Sequence, residues 1–138
     1  MNSQPERSTA FALWVCVVVV LGAILFATGA ILAIVHPAML VSPHDEINGA
    51  VHIYAGYFAS RNMALATLLI VLLLLRARHA LANLMVLVAL IQVTDAIMDC
   101  VEGRWMIAPG VLLFGLVFSI GALRVSGHPF WRREAWGK

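Results

Sequence analysis

Four polar side chains interrupt an apolar stretch of the sequence at spacings of three, four and three residues: Gln92, Asp95, Asp99 and Glu102. On a helix these spacings place all four side chains on one face. Carboxylates in such a row could relay protons, accept a cation or act as a general acid. Ionisable groups at membrane depth are costly and usually face a partner or a wet cavity, so we expect this row to line a water-accessible vestibule.

Arg61 is the expected counter-charge for Asp95. Arg61 lies 14 residues before Leu75 and Asp95 lies 15 residues after Ala80, so two helices joined by a tight turn would hold both groups at one level. Pairing would relieve the cost of placing either charge there alone. Arg61 and Arg104 together face three carboxylates, which would leave one carboxylate without a fixed cation.

The sequence therefore predicts a polar pocket between the second and third helices for a small ligand or protons. Its expected members are Arg61, Asn62, Gln92, Asp95, Asp99 and Glu102, with Tyr54 and Tyr57 near its mouth. No catalytic residue is assigned. The competing interpretation is structural: Arg61 and Asp95 would only lock two helices together, the outer acids would be solvated interfacial charges, and Gln92 would bond a neighbouring helix.

Four apolar segments must position these residues. The chain has 138 residues, of which 62% are hydrophobic and 12% charged, and its mean hydropathy is +0.94, whereas a soluble domain is about a quarter charged. The segments span about 10–36, 49–75, 80–102 and 106–124, close to or above the roughly 20 residues that cross a bilayer. We predict an all-α, four-helix transmembrane bundle with antiparallel up-down topology, forming one domain over residues 1–138.

The basic residues set the predicted orientation of this bundle. Seven of the nine lie on the side that holds the N-terminus, the 76–79 turn and the C-terminal tail: Arg7, Arg76, Arg78, Arg124, Arg132, Arg133 and Lys138. The positive-inside rule then places both termini in the cytoplasm. The tail at 125–138 mixes aromatic and basic side chains, as an interfacial anchor does.

Local signals predict two helix ends. Ser42 and Pro43 suit the N-cap and first position of the second helix, and Asp45 completes a capping box, so this helix is expected to begin near Pro43. Gly103 suits the position just after the third helix, where the left-handed backbone conformation is common.

Other kinds of site find little support. The histidines and acids expected at the outer face are chemically suitable metal ligands, but their spacing matches no metal motif, so we predict no metal site and no cofactor; they are His36, His44, Asp45 and His52, with Asp99 or Glu102. Cys16 and Cys100 fall at opposite membrane faces and are expected to be free thiols. The basic residues lie beside apolar spans rather than on a polar surface, which argues against a nucleic-acid partner.

The segment GYFASRNMALATLLIVLLLLRAR, followed by VTDAIMD, resembles the small four-span bacterial membrane proteins grouped as DoxX-like. A glycine, an arginine followed by a polar residue, and a later aspartate recur in that group, and the matching positions are Gly56, Arg61, Asn62 and Asp95. The resemblance implies a four-helix bundle in the bacterial inner membrane. It implies no settled substrate.

Three functions are compatible with these patterns. The leading one is a multi-pass membrane protein that binds or transports a small polar or amphiphilic ligand or protons. The alternatives are a membrane-embedded acid/base enzyme acting on a lipid-soluble substrate, and a helper subunit whose charges bond a partner protein in the membrane. Four spans are few for a complete transport path, so a transporter is expected to be a homodimer.

Overall fold

Helices form all the regular structure in the computed structural model, which describes residues 6–41 and 46–127. They are α1 (Glu6–Val35), a 3₁₀ turn (Pro37–Leu40), α2 (Gly49–Leu74), α3 (Arg78–Val101) and α4 (Ala108–Ser126). All four α-helices are long and apolar enough to cross a membrane, α1 doing so over Leu13–Val35. The prediction of an all-α protein with four potential spans is confirmed for these ranges.

The predicted span limits need small adjustments. The helix α1 begins at Glu6, before the predicted start at residue 10, and its 30 residues extend about 45 Å. The predicted tail at 125–138 begins inside α4, which continues to Ser126. Residues 128–138 of that tail lie outside the described residues.

The start of α2 is set by Asn48 and not by the predicted Ser42–Pro43 pair. The side-chain oxygen Oδ1 of Asn48 accepts hydrogen bonds from the backbone N–H groups of Ala50, at 3.0 Å, and Val51, at 3.3 Å. These are the second and third positions of the helix, the two donors that an N-cap side chain normally satisfies. Ser42, Pro43 and Asp45 lie outside the described residues, but residues 46–48 are not helical, so the predicted helix start near Pro43 is wrong.

The turn between α2 and α3 closes with a left-handed residue that is not glycine. Arg76 has φ +52°. Its N–H donates to the carbonyl of Leu73, and the N–H of Ala77 donates to the carbonyl of Leu72, both at 3.1 Å. This is the Schellman pattern, which satisfies carbonyl groups that the end of a helix leaves without partners.

The end of α3 uses the same motif with a glycine. Gly103 has φ +76°, and its N–H donates to the carbonyl of Cys100 at 3.2 Å. The N–H of Arg104 donates to the carbonyl of Asp99 at 2.7 Å, which turns the chain back over the last turn of α3. The predicted role of Gly103 is confirmed.

The described chain forms two compact units. One contains α1 as far as Val18 together with the chain from Leu72 onward, and the other is Val19–Val71. In the second unit small side chains make the core: Ala30 and Ala33 of α1 meet Ala59 of α2, with Leu40 and Phe58 packed against them. Small residues let helices approach closely, which matters in a bilayer because lipid provides no hydrophobic drive between helices.

In the first unit α3 packs along α4 through glycines. A Cβ placed on Gly115 of α4 would lie 3.1 Å from Cβ of Gln92 and 3.4 Å from the carbonyl oxygen of Ala89, both in α3. A Cβ placed on Gly121 would collide with the terminal methyl of Met85, which is fully buried. The glycines therefore permit a helix separation that larger residues would not.

Candidate functional site

The predicted row on α3 is only partly a helical face. Gln92 is buried, Asp95 and Asp99 are partly buried, and Glu102 is the residue that caps the helix rather than a member of it. The acidic part of the row therefore runs from inside α3 to the turn that follows it. This agrees with the spacing argument for the first three residues and places the fourth at the helix end.

Gln92 lies at the interface with α4. Its Cβ faces Gly115, and only 8% of the residue is exposed. Of the two interpretations that the sequence left open for Gln92, contact with a neighbouring helix is what the structure describes.

A three-residue charge cluster closes the C-terminal end of α3. The guanidinium of Arg104 contacts both carboxylates: its Nε lies 3.4 Å from Oδ1 of Asp99, and its Nη1 lies 3.6 Å from Oε2 of Glu102. The Asp99 side chain is 14% exposed and the Glu102 side chain 53%. The backbone turn at Gly103 makes this possible, because it brings Arg104 back over the last turn of α3. One cation thus serves two acids, and the cluster has a formal charge of −1.

Arg61 lies at the centre of α2. It is 12 residues after Gly49 and 13 before Leu74, so it is about 18 Å from the nearer helix end. It is exposed, and its guanidinium carbon Cζ lies 5.3 Å from the centroid of the Phe58 ring, within the range of a cation–π contact. A charge at this position is at membrane depth if α2 spans the bilayer.

The neighbours of Arg61 divide between buried and exposed positions. Asn62 is 4% exposed, and its Nδ2 lies 3.5 Å from where a Cβ on Gly29 of α1 would be. Tyr54 and Tyr57 are 58% and 73% exposed. The absence of a side chain at Gly29 gives the amide of Asn62 room to approach α1, a packing role that the sequence analysis did not foresee.

The pairing of Arg61 with Asp95 stays a prediction. Arg61 and Asn62 belong to one compact unit, and the acidic row belongs to the other. The observed helix ends alter the residue count on which the pairing rested: Arg61 is 13 residues from the end of α2 and Asp95 is 17 from the start of α3. The predicted equal spacing becomes an offset of four residues, or about 6 Å along a helix.

An open apolar groove of about 310 Å³ lies beside the C-terminal half of α3. It is lined by Val93, Ala96, Ile97, Cys100, Val101, Trp105 and Leu112. The five lining residues of α3 recur at helical spacing and form one face of that helix. The predicted pocket residues are absent from this described lining, because Asp95 and Asp99 lie on another face. The sequence analysis missed the groove because every face of this segment except the polar row is apolar.

The described residues show no group of three or more His, Cys, Asp or Glu side chains placed to hold a metal ion. Two members of the candidate ligand set, His44 and Asp45, lie outside the described residues. Cys16 and Cys100 are both free thiols and partly buried.

Comparison of the chain with protein-family models, with curated proteins and with solved structures finds no match. The DoxX-like resemblance therefore stays a prediction that rests on Gly56, Arg61, Asn62 and Asp95.

Proposed function

We propose that this chain is a multi-pass protein of the bacterial inner membrane that binds or transports a small polar or amphiphilic ligand or protons. The observation that carries the proposal is the combination of four helices of membrane-spanning length with ionisable side chains inside two of them, Arg61 and Asp95. Such groups are rare in spans because each is costly there, and they usually mark a pathway or a binding site. The proposal includes the DoxX-like relationship.

Hydroxyl groups elsewhere in the spans provide a contrast. Ser60 donates to the carbonyl of Tyr57 at 3.0 Å, and Thr67 donates to the carbonyl of Met63 at 2.8 Å. Polar side chains of this kind satisfy themselves on their own helix and need no cavity. A guanidinium and a carboxylate cannot be satisfied by a single backbone carbonyl, so the charged residues point to a polar site more strongly than the hydroxyls do.

The proposed topology is antiparallel and up-down, with both termini in the cytoplasm. Two contacts along the pair of α3 and α4 support it. Met85, early in α3, lies beside Gly121, late in α4, and Gln92, later in α3, lies beside Gly115, earlier in α4. The same topology places the Arg104 cluster and the apolar groove at the outer end of α3.

The proposed polar site combines Arg61 and Asn62 of α2 with Asp95, Asp99 and Glu102 of α3 and its end. Because Arg104 already contacts Asp99 and Glu102, Asp95 is the acid that the sequence assigns to Arg61. In this proposal Asp95 is the residue that gains and loses a proton or contacts the ligand, and Arg61 holds it in place.

Proton flux into liposomes tests this proposal. Purified protein is reconstituted with a pH-sensitive dye inside, and a potassium diffusion potential drives protons inward. The intact protein should acidify the interior faster than empty liposomes, and Asp95→Asn should abolish the difference while leaving the helical circular dichroism unchanged. Glu46→Gln, which alters an exposed acid outside the predicted site, is the matched control and should retain flux. Full flux in Asp95→Asn would contradict the role of Asp95.

A further inference from the structure

The apolar groove on α3 ends beside the Arg104 cluster. Val101 and Trp105 line the groove. Glu102 directly follows Val101, and Arg104 directly precedes Trp105, so at two points the charged cluster is one residue, or about 3.8 Å of backbone, from the lining. An apolar cleft that meets a charged cluster at one end has the shape of a site for an amphiphile.

The charges at this end favour a cation. Asp99 and Glu102 contribute two formal negative charges and Arg104 one positive charge, so the cluster has a formal charge of −1. The carbonyl end of α3 is negative and the amide end of α4 is positive, and these two helix dipoles roughly offset each other. Glu102 is half exposed and therefore accessible to a headgroup.

Trp105 adds a second recognition element. It lines the groove and is 67% exposed. The face of an indole ring attracts ammonium and quaternary ammonium groups, and tryptophan is the strongest of the aromatic residues in this respect. The volume of about 310 Å³ is at the lower end of the ~300–1,000 Å³ that small-molecule sites occupy.

We infer that this groove binds a cationic amphiphile, with the apolar tail along α3 and α4 and an ammonium headgroup beside Trp105 and Glu102. The inference rests on the proposed function and deepens it by naming the ligand class, a lipophilic amine or quaternary ammonium compound. An anionic amphiphile is disfavoured because it would bring a negative headgroup next to a cluster that is already negative.

Cys100 provides a reporter inside the groove. Cys100 lines the groove and Cys16 does not, and both thiols are free and partly buried. In Cys16→Ser protein in a neutral maltoside micelle, the rate at which N-ethylmaleimide modifies Cys100 is measured by mass spectrometry. The rate is compared with and without dodecyltrimethylammonium, dodecanoate or dodecanol, which share a twelve-carbon tail and differ in headgroup charge.

Dodecyltrimethylammonium should slow modification of Cys100 at lower concentration than dodecanoate or dodecanol. Glu102→Gln should raise the concentration that gives half-protection by about two- to fivefold, the range expected for an exposed ion pair. Glu46→Gln should leave it unchanged. In Cys100→Ser protein, modification of Cys16 should not respond to the amphiphile, which excludes a general effect on the micelle.

Three results would overturn the inference. Equal protection by the three compounds would show that the groove accepts apolar tails without selecting a headgroup. Equal protection of Cys16 would show that the groove is not the site. Protection that follows protein concentration in the absence of amphiphile would show that a second copy of the chain covers the groove. Asp95 does not line the groove, so Asp95→Asn should abolish flux and leave protection of Cys100 intact. The two proposals can therefore fail separately.

Discussion

Arg76 holds a backbone conformation that costs energy in any residue with a side chain. Its φ of +52° is left-handed, and this conformation costs an L-residue about 1–2 kcal/mol. Glycine avoids that cost but loses more chain entropy on folding, by about 0.5–1 kcal/mol. We expect Arg76→Gly to raise the free energy of unfolding by about 0.5–1 kcal/mol, measured in micelles by titration with a denaturing detergent and followed by circular dichroism.

Arg78→Gly is the matched control for that substitution. Arg78 is the first residue of α3 and carries the same charge in the same turn, but it is helical. Removing its side chain should lower stability or leave it unchanged, because glycine is a poor helix former. A gain of equal size in both variants would attribute the effect to lost positive charge instead of to the left-handed backbone.

Single residues also show what local sequence signals can decide. Gly103 was predicted correctly because only glycine takes a left-handed position without strain, so few other interpretations compete. The start of α2 was predicted wrongly because Ser42–Pro43 and Asn48–Gly49 both satisfy the preferences for a helix start. The choice between them depends on where the chain leaves the preceding 3₁₀ turn, and local preferences do not contain that information.

Between helices, Gly115 sets how closely α3 approaches α4. A methyl group on Gly115 would lie 3.1 Å from Cβ of Gln92 and 3.4 Å from a backbone oxygen, atoms that cannot rotate away. We expect Gly115→Ala to be less stable than Gly110→Ala by about 1–3 kcal/mol, the usual cost of overpacking. Gly110 is in the same helix and has no atom within 4 Å of such a methyl group. Equal stabilities of the two variants would show that α3 and α4 separate freely.

The side of a helix that packs was harder to predict than the helix itself. Hydropathy marks an apolar span clearly, but a span that is apolar on nearly every face gives no periodic signal for its neighbours. The contact of Gln92 with α4 and the groove at Cys100 both depend on which face α4 covers. The polar row was visible because its residues differ in chemistry from everything around them, whereas its partners are set by tertiary structure.

For the whole molecule, the distribution of basic residues predicts cytoplasmic termini. A fluorescent protein that folds only in the cytoplasm should be fluorescent when fused after Lys138, and alkaline phosphatase, active only after export, should be inactive there. Fusions truncated after Trp105, in the α3–α4 connection, should give the opposite pair of results. Active phosphatase after Lys138 would reverse the orientation and would place the Arg104 cluster in the cytoplasm.

The four spans could be predicted because length and hydropathy alone define them. Each predicted span limit lies within three residues of the observed apolar helix, since the change from apolar to charged residues is abrupt at both ends. The pairing of Arg61 with Asp95 could not be secured in the same way. A residue count along two helices is sensitive to their ends, and a shift of a few residues there moves a charge by about a turn.

The two Schellman turns leave α3 with little slack at either end. Each turn is closed by two backbone hydrogen bonds, and close glycine contacts join α3 to α4 along much of their length. A hinge needs residues whose backbone angles are free to change, and none is available where α3 meets its connections. If this protein alternates between two states, α3 and α4 are therefore expected to tilt together as a single rigid hairpin.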